Sequence, residues 1–373
     1  MRILHVYKDY APILGGIENH IRALAEAQAA EGHAVRVLVT RRPDSPATER
    51  LNGVAIERVA SLVTLASTPL SPSLIQRARA AQVDLIHVHS PYPTAEIALL
   101  GRKRPPYVLT LHAEPTRAVK RLILAAYAPI FRQVVAGAAA LLVTSPQAAH
   151  HSRWVRPNDP RVQVVSLGSD PVRFSPAGES ATAGPAPLRI LFAGLLRHYK
   201  GVDVLLRALA RVERPLAVTI AGDGPEAERL RLLSHQLGLD EQVRFLGRVP
   251  DADLAGLYRR HDVFVLPAVI PAEAFGQVLV EAMLSGLPCI TTELGTGTSY
   301  VVQDGVTGRV VAPRSPRQLA GALRDLADDP AQRRRLGANG RARALEHFTT
   351  ERMLARVRAV YALALNANHR EQP

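Results

Sequence analysis

Glu273 and Glu281 stand eight positions apart around Ala274-Phe275-Gly276-Gln277. Paired carboxylates can serve as general acid and base. Alternatively, each can accept charge-assisted hydrogen bonds from a polyol, worth roughly 1.5–3 kcal/mol apiece. The flanking residues say where the pair stands. Val263-Phe264-Val265-Leu266-Pro267 is an apolar run of strand length, and Val278–Leu284 reads as a helix stopped by Gly286 and Pro288. The spacing predicts Glu273 in a loop at the carboxyl end of a strand and Glu281 about one turn into the next helix, where open α/β sheets take their ligands. The amides of Phe275, Gly276 and Gln277 would open that helix and suit a phosphate or a sugar oxygen. Taken singly, each acid reads equally well as structural, Glu273 as a helix-start acid and Glu281 as part of a solvated helix face.

Four other segments carry residue types that a phosphorylated sugar would need. Gly15-Gly16-Ile17-Glu18-Asn19-His20 follows the first strand and opens a helix, and paired glycines let backbone approach a diphosphate closely. It is not the G-x-G-x-x-G dinucleotide fingerprint, which argues against an NAD enzyme. Gly194-Leu195-Leu196-Arg197-His198-Tyr199-Lys200-Gly201 brings a guanidinium and an ammonium close together. They could clamp a pyrophosphate and neutralise charge on a departing nucleoside diphosphate, or simply form a basic surface loop. Ala221-Gly222-Asp223-Gly224-Pro225-Glu226 ends another strand in a glycine-rich turn. Thr110-Leu111-His112-Ala113-Glu114 ends a strand of the first half, where a lone histidine is more often structural than catalytic.

These residues need a scaffold. At 373 residues the chain is long for one core, and two domains of roughly 180 are expected. Strand-like runs near 2–7, 34–40, 84–88, 107–111, 140–143 and 162–165 alternate with helical patterns at 16–31, 72–81 and 116–137. The proline- and alanine-rich 175–187 breaks the pattern and reads as a linker. A second series follows, with strands near 188–193, 216–221, 243–246, 262–266, 288–292 and 308–311, then helices near 315–327, 330–346 and 350–365. Arg333-Arg334-Arg335 falls on one of these helices and reads as a solvated face. Strand–helix alternation of this kind predicts an α/β fold of two Rossmann-like, doubly wound domains facing across a cleft.

Composition narrows the function. Hydrophobic residues make up 47% of the chain, and mean hydropathy is near zero at +0.02. No stretch approaches about 18 uninterrupted apolar residues, so no membrane span is expected. Met1–Tyr7 reads as a strand rather than a signal peptide. The single cysteine, Cys289, excludes intramolecular disulfides and fits a cytoplasmic protein. A net charge of +13 favours nucleic acid, an anionic bilayer or a phosphorylated substrate. Aromatic residues are only 5% and are not interleaved with basic ones, which argues against nucleic acid. The basic stretch Arg117–Arg132 could lie on an anionic bilayer at the inner face of the plasma membrane, or face the core beside an acceptor site.

Together, the five segments resemble the GT-B-fold glycosyltransferases, specifically the retaining glycosyltransferase family 4 ("group 1"), from Met1 to about Tyr361. The Glu273…Glu281 spacing with Phe275-Gly276 is the most specific element. Val165–Pro176 is similar to the family's lead into its second domain, and Thr291–Thr298 to bacterial polysaccharide members. The resemblance implies that Glu273 binds the donor sugar's hydroxyls, that Glu281 holds the ribose, and that the amides at Phe275, Gly276 and Gln277 contact the donor. It also implies that His112 lies on the acceptor side near the donor sugar and that Gly15 and Gly16 lie against the diphosphate. Gly222 and Arg248 join the expected nucleotide site, Arg248 where the base would be chosen. Many members have arginine where this chain has Leu195, so Arg197 is the candidate replacement and Lys200 the safer cation. The expected domains are 1–175 and 188–349, with a helix at about 350–373 packing back on the first.

The implied reaction is transfer of a hexose, mannose by preference, from a GDP- or UDP-linked sugar to an acceptor hydroxyl in polysaccharide, lipopolysaccharide or glycolipid synthesis, with retention at the anomeric carbon. The acceptor would be a sugar or a lipid-linked sugar. His112, Glu273, Arg197 and Lys200 would form the catalytic set. No cofactor is required, and with no Asp-x-Asp clamp a divalent metal is not expected to be essential. A nucleotide-sugar epimerase or phosphorylase of the same fold, or a non-catalytic carbohydrate-binding protein, is the alternative.

Overall fold

The structure is a computed structural model that describes the chain except Leu14 and residues 66–67, 102–103, 113–117, 177–186 and 371–373; at 118–124 and 367–370 it describes the helix but not the side chains. By its contacts the chain divides into a first unit, Met1–Ser166 with Thr350–Pro373, and a second unit, Leu167–Thr349. The division falls ahead of residue 175 because Leu167 and Phe174 are buried in the core of the second unit.

The first unit holds β1 (Arg2–Val6), β2 (Ala34–Thr40), β3 (Thr48–Leu51), β4 (Val54–Val59), β5 (Val63–Leu65), β6 (Thr68–Leu70), β7 (Leu85–Ser90), β8 (Tyr107–Leu111), β9 (Ala140–Val143) and β10 (Val162–Val164). Eight of them form one sheet in the order β10-β9-β8-β7-β1-β2-β4-β3, parallel except for edge strand β3. β7 and β9 are buried along their whole length, as expected of parallel strands covered on both faces. The helix Thr350–Arg370 packs Met353, Val357, Val360 and Tyr361 against Ile3, Leu85, Val108 and Leu142. The four strands β3 to β6 were not foreseen. Asn52 and Gly53 have φ values of 47° and 84°, the left-handed pair that a two-residue hairpin turn between β3 and β4 requires.

The second unit holds β11 (Leu188–Ala193), β12 (Leu216–Ala221), β13 (Val243–Gly247), β14 (Val263–Leu266), β15 (Cys289–Thr292) and β16 (Gly308–Val311) in one all-parallel sheet, ordered β13-β12-β11-β14-β15-β16. The wholly apolar β14 is central and fully buried. Both units have the expected Rossmann-like form, and in each the strand order reverses beside the first strand: between β1 and β7, and between β11 and β14. Ligands of open α/β sheets bind outside the carboxyl ends of strands at such points. No helix among the described residues is long and apolar enough to cross a membrane.

Candidate active site

At the second unit's reversal point, the loops leaving β11 and β14 meet. Gly201, at φ 70°, opens a helix so close to the other loop that a Cβ there would stand 1.9 Å from the Pro267 carbonyl oxygen. Only glycine tolerates both that conformation and that approach. The Val269 amide donates to the Tyr199 carbonyl at 2.9 Å, tying the loops together. This packing brings Lys200 Nζ to 2.5 Å from Glu273 Oε2, with the side chains 12% and 10% exposed. Burial by itself would lower the lysine's pKa. The charge of Glu273, helped by Tyr199 and Glu281, outweighs that and holds it above its ordinary value.

The Glu273 loop is pinned from behind. Thr296 Oγ1 donates to the Glu273 carbonyl, and the Gly297 amide to the Ala274 carbonyl, each at 2.8 Å. A Cβ on Gly297 would meet Ala274 O and Phe275 Cα at 2.8 Å, so this support is specific to glycine. The Phe275 ring is buried in the core, edge-on to Phe348, which leaves its backbone for any ligand contact. Gly276 caps the helix Gln277–Leu284 at φ 80°. Gln277 Nε2 donates to the Gly168 carbonyl at 3.3 Å. One turn on, Glu281 Oε2 accepts from the buried Tyr258 hydroxyl at 2.9 Å. Burial nevertheless dominates, pushing the Glu281 carboxyl up to about 7.

Arg197 and Arg248 are both exposed, Arg197 ahead of the short turn His198–Lys200 and Arg248 just after β13. Neither forms an ion pair among the described residues. Gly222, expected in the nucleotide site, directly follows β12. Its N–H already donates to the Gly247 carbonyl at 2.8 Å, and a Cβ there would stand 1.9 Å from the Gly194 carbonyl oxygen. Its glycine serves strand packing.

In the first unit, Gly15 is the N-cap of the helix Gly16–Ala30. The Glu18 carboxylate folds back so that a Cβ on Gly15 would stand 2.2 Å from Glu18 Oε2, whereas Gly16 has open space. An anion of the protein's own therefore stands beside the helix start where a diphosphate was expected. Burial raises the Glu18 pKa, which weakens its hold there.

His112 is not the lone histidine the sequence suggested. It is buried past the end of β8, its amide donating to the Ser90 carbonyl at 3.0 Å. Its Nε2 lies 3.0 Å from His89 Nδ1, and the His20 ring stands edge-on to it at 5.1 Å. The ring nitrogens of His5, His87 and His89, and those of His20, His89 and His112, form two sets lying within 4.8 Å of one another. Both nitrogens of His5, His87 and His89 are already committed to hydrogen bonds, so these three form a network rather than a ligand set, while His20 Nδ1 is buried without a hydrogen-bond partner among the described residues.

Two sequence profiles match the chain: "Glycosyltransferase Family 4" over residues 14–173 and "Glycosyl transferases group 1" over 181–343. The D-rhamnosyltransferase WbpZ of Pseudomonas aeruginosa is 34% identical over 358 residues, covering 94% of this chain and 92% of that protein. The chain is a family 4 glycosyltransferase. The O-antigen chain mannosyltransferase C of Escherichia coli is 30% identical over 364 residues, covering 95% and 96% of the two chains. The fold is shared with the sucrose-phosphate synthase of Thermosynechococcus elongatus, with a TM-score of 0.80, 24% identity, and 98% and 99% of the chains covered. In this glycosyltransferase the structure joins Lys200 to Glu273, and His112 to a histidine network. Sequence reasoning missed Tyr258 and Thr296, which hold the two glutamates, and His5, His20, His87 and His89.

Proposed function

We propose that this glycosyltransferase moves a hexose from a nucleoside diphosphate sugar to an acceptor hydroxyl with retention, in building a bacterial surface polysaccharide or glycolipid. The observation that carries this reading is the Lys200–Glu273 pair at the strand-order reversal of the second unit. An ammonium beside a carboxylate offers one group for the diphosphate and one for sugar hydroxyls. In the reaction, the bond from the anomeric carbon to the phosphate oxygen breaks and its electron pair leaves with the diphosphate. The acceptor oxygen bonds to the same face, and its proton passes to the departing phosphate oxygen. Lys200 and Arg197 take up the growing negative charge, and the amides at Phe275, Gly276 and Gln277 add fixed dipoles. Glu273 grips the sugar, Glu281 the ribose, and His112 stands on the acceptor side. Gly15 and Gly16 meet the diphosphate once Glu18 turns away, and Arg248 lies toward the base.

The donor we favour is GDP-mannose or its 6-deoxy counterpart, since the relatives described above are a mannosyltransferase and a D-rhamnosyltransferase. A thermal-shift panel of GDP, UDP and their sugars tests this, because a ligand at 100 times its Kd stabilises by about 2.7 kcal/mol. Stabilisation by UDP-hexoses alone would overturn the choice of base. Release of free nucleoside diphosphate only when acceptor is present separates transfer from epimerase or phosphorylase chemistry. The reaction needs no added cofactor or divalent ion in this reading, and EDTA should leave it intact.

We also propose peripheral contact of the first unit with anionic membrane from the cytoplasmic side. The basic stretch begins at Arg117, which lies with the side chains through 124 outside the described residues. Its far end faces inward: Tyr127 donates to Glu96 at 2.7 Å, and Phe131 is buried against Trp154. Flotation with anionic liposomes, lost when Lys120 and Arg121 are replaced by alanine, is the test.

A further inference from the structure

We propose that Gln28 is a positioning residue that sets which ring nitrogen of His112 carries the proton. The sheet register assembles the parts. β1 and β7 pair with His5 beside His87, and His89, two residues on, shares that face. His112 follows Thr110, the partner of His89 on β8. Gln28, from the helix Gly16–Ala30, and Tyr361, from the C-terminal helix, close over the group, and both are buried.

The contacts run as a chain. Gln28 Oε1 lies 2.8 Å from His5 Nε2, His5 Nδ1 lies 3.1 Å from His89 Nε2, and His89 Nδ1 lies 3.0 Å from His112 Nε2. Burial keeps these imidazoles neutral, with His5 lowered to about 4 and His89 and His112 well below 6.5. A neutral imidazole has one N–H and one lone pair, so a chain of three can point in only two senses. The amide oxygen can only accept. His5 Nε2–H must therefore donate to Gln28, His89 Nε2–H to His5, and His112 Nε2–H to His89. What remains at His112 is a lone pair on Nδ1.

A second arm obeys the same amide. Gln28 Nε2 donates to the Tyr361 oxygen at 3.3 Å, and the Tyr361 hydroxyl then donates to His87 Nδ1 at 2.7 Å. His87 Nε2–H finally donates to Thr110 Oγ1 at 2.6 Å. Turning the amide over would reverse every proton in both arms and leave an N–H on His112 Nδ1. A lone pair there accepts from a sugar hydroxyl, whereas an N–H would meet the same hydroxyl as a donor. Gln28 thus decides which kind of substrate group His112 can receive, a consequence that rests on the role proposed above for His112.

Long-range proton–nitrogen NMR of the 15N-labelled enzyme, with His112 assigned by comparison with His112→Ala, reads the tautomer directly. The expected result is a protonated Nε2 and a pyridine-type Nδ1 in the wild type. Gln28→Glu, whose carboxylate accepts as the amide oxygen does, keeps that pattern, and Gln28→Leu gives both nitrogens intermediate shifts. Turnover in Gln28→Leu falls on the order of tenfold and returns in Gln28→Glu, because a histidine held in the wrong tautomer is a poor participant. A wild-type His112 protonated on Nδ1, or an unchanged pattern in Gln28→Leu, overturns the proposal. If Gln28→Leu does not fold, the wild-type and Gln28→Glu spectra decide. Normal turnover in His112→Ala would remove the catalytic role and leave the tautomer result standing, so the two failures are distinct.

Discussion

Lys200 Nζ stands 2.5 Å from Glu273 Oε2, and the two side chains are nearly enclosed by the loops that carry them. Removing one member of a buried pair strands the other charge, at a cost of about 3–5 kcal/mol, whereas removing both can be nearly neutral. Lys200→Met alone should therefore lower unfolding stability more than Lys200→Met with Glu273→Gln. Turnover should fall about a hundredfold or more in the single variants and not recover in the double. Urea unfolding beside a donor-turnover assay checks both halves. Recovery of activity together with stability would make the pair a structural clamp only.

The buried histidines give the first unit an acid limit. The native pKa values of His5 and His20 are lowered to about 4 and about 3 by burial, from 6.5 in the unfolded chain, and those of His87, His89 and His112 are also well below it. Between those limits the unfolded chain binds more protons, so stability is full above pH 6.5 and falls as pH drops toward 4. Each fully suppressed histidine contributes about 1.4 kcal/mol per pH unit there. Hydrogen exchange at pH 7.5 and 5.5 should show protection lost in β1, β7 and β8. Equal protection at both pH values would contradict a neutral network.

Glu281 has the opposite sign. Its carboxyl is raised to about 7, so in the donor-free protein its contribution to stability is present below pH 4.5 and is lost as pH rises through 7. A ribose bound by the ionised carboxylate reverses this for affinity. Nucleoside diphosphate should bind more tightly as pH rises from 6 to 8, and Glu281→Gln should remove that component. Calorimetric titration of both proteins over that range checks it, the variant accounting for titration of the nucleotide's own phosphate.

Tyr258→Phe should act on the same titration. Deleting the hydroxyl removes a hydrogen bond to the carboxylate worth about 1.5–3 kcal/mol. The midpoint of the affinity–pH curve should then move upward, with turnover at saturating donor little changed. An unmoved midpoint would show that Tyr258 does not support the ionised form.

The sequence announced the sheets because buried parallel strands such as Val263–Leu266 and Leu188–Ala193 are nearly all apolar. The polar Thr48–Leu51 and the Glu57-bearing β4 lack that signature, and only Asn52-Gly53 marked their turn. Glu273 and Lys200 were legible as candidates from their loops, but their contact depends on Gly201 packing against Pro267, a relationship between segments far apart in the chain. The histidine network stayed hidden for the same reason. His87 and His89 share one face of a strand, but His5, Gln28, His112 and Tyr361 join them only through sheet register and helix docking. Tyr258 gave no local sign of its bond to Glu281.

In the proposed reaction Lys200 and Glu273 divide the donor between them, diphosphate to one and sugar to the other. Calorimetric binding of GDP and of GDP-mannose to the wild type, Lys200→Ala and Glu273→Ala tests it most directly. Lys200→Ala should lose at least about tenfold in affinity for both ligands, a loss of roughly 1.4 kcal/mol or more. Glu273→Ala should bind GDP as the wild type does and lose only the affinity that the sugar adds. Wild-type affinity for both ligands in Lys200→Ala, or equal losses for both in Glu273→Ala, would contradict the division.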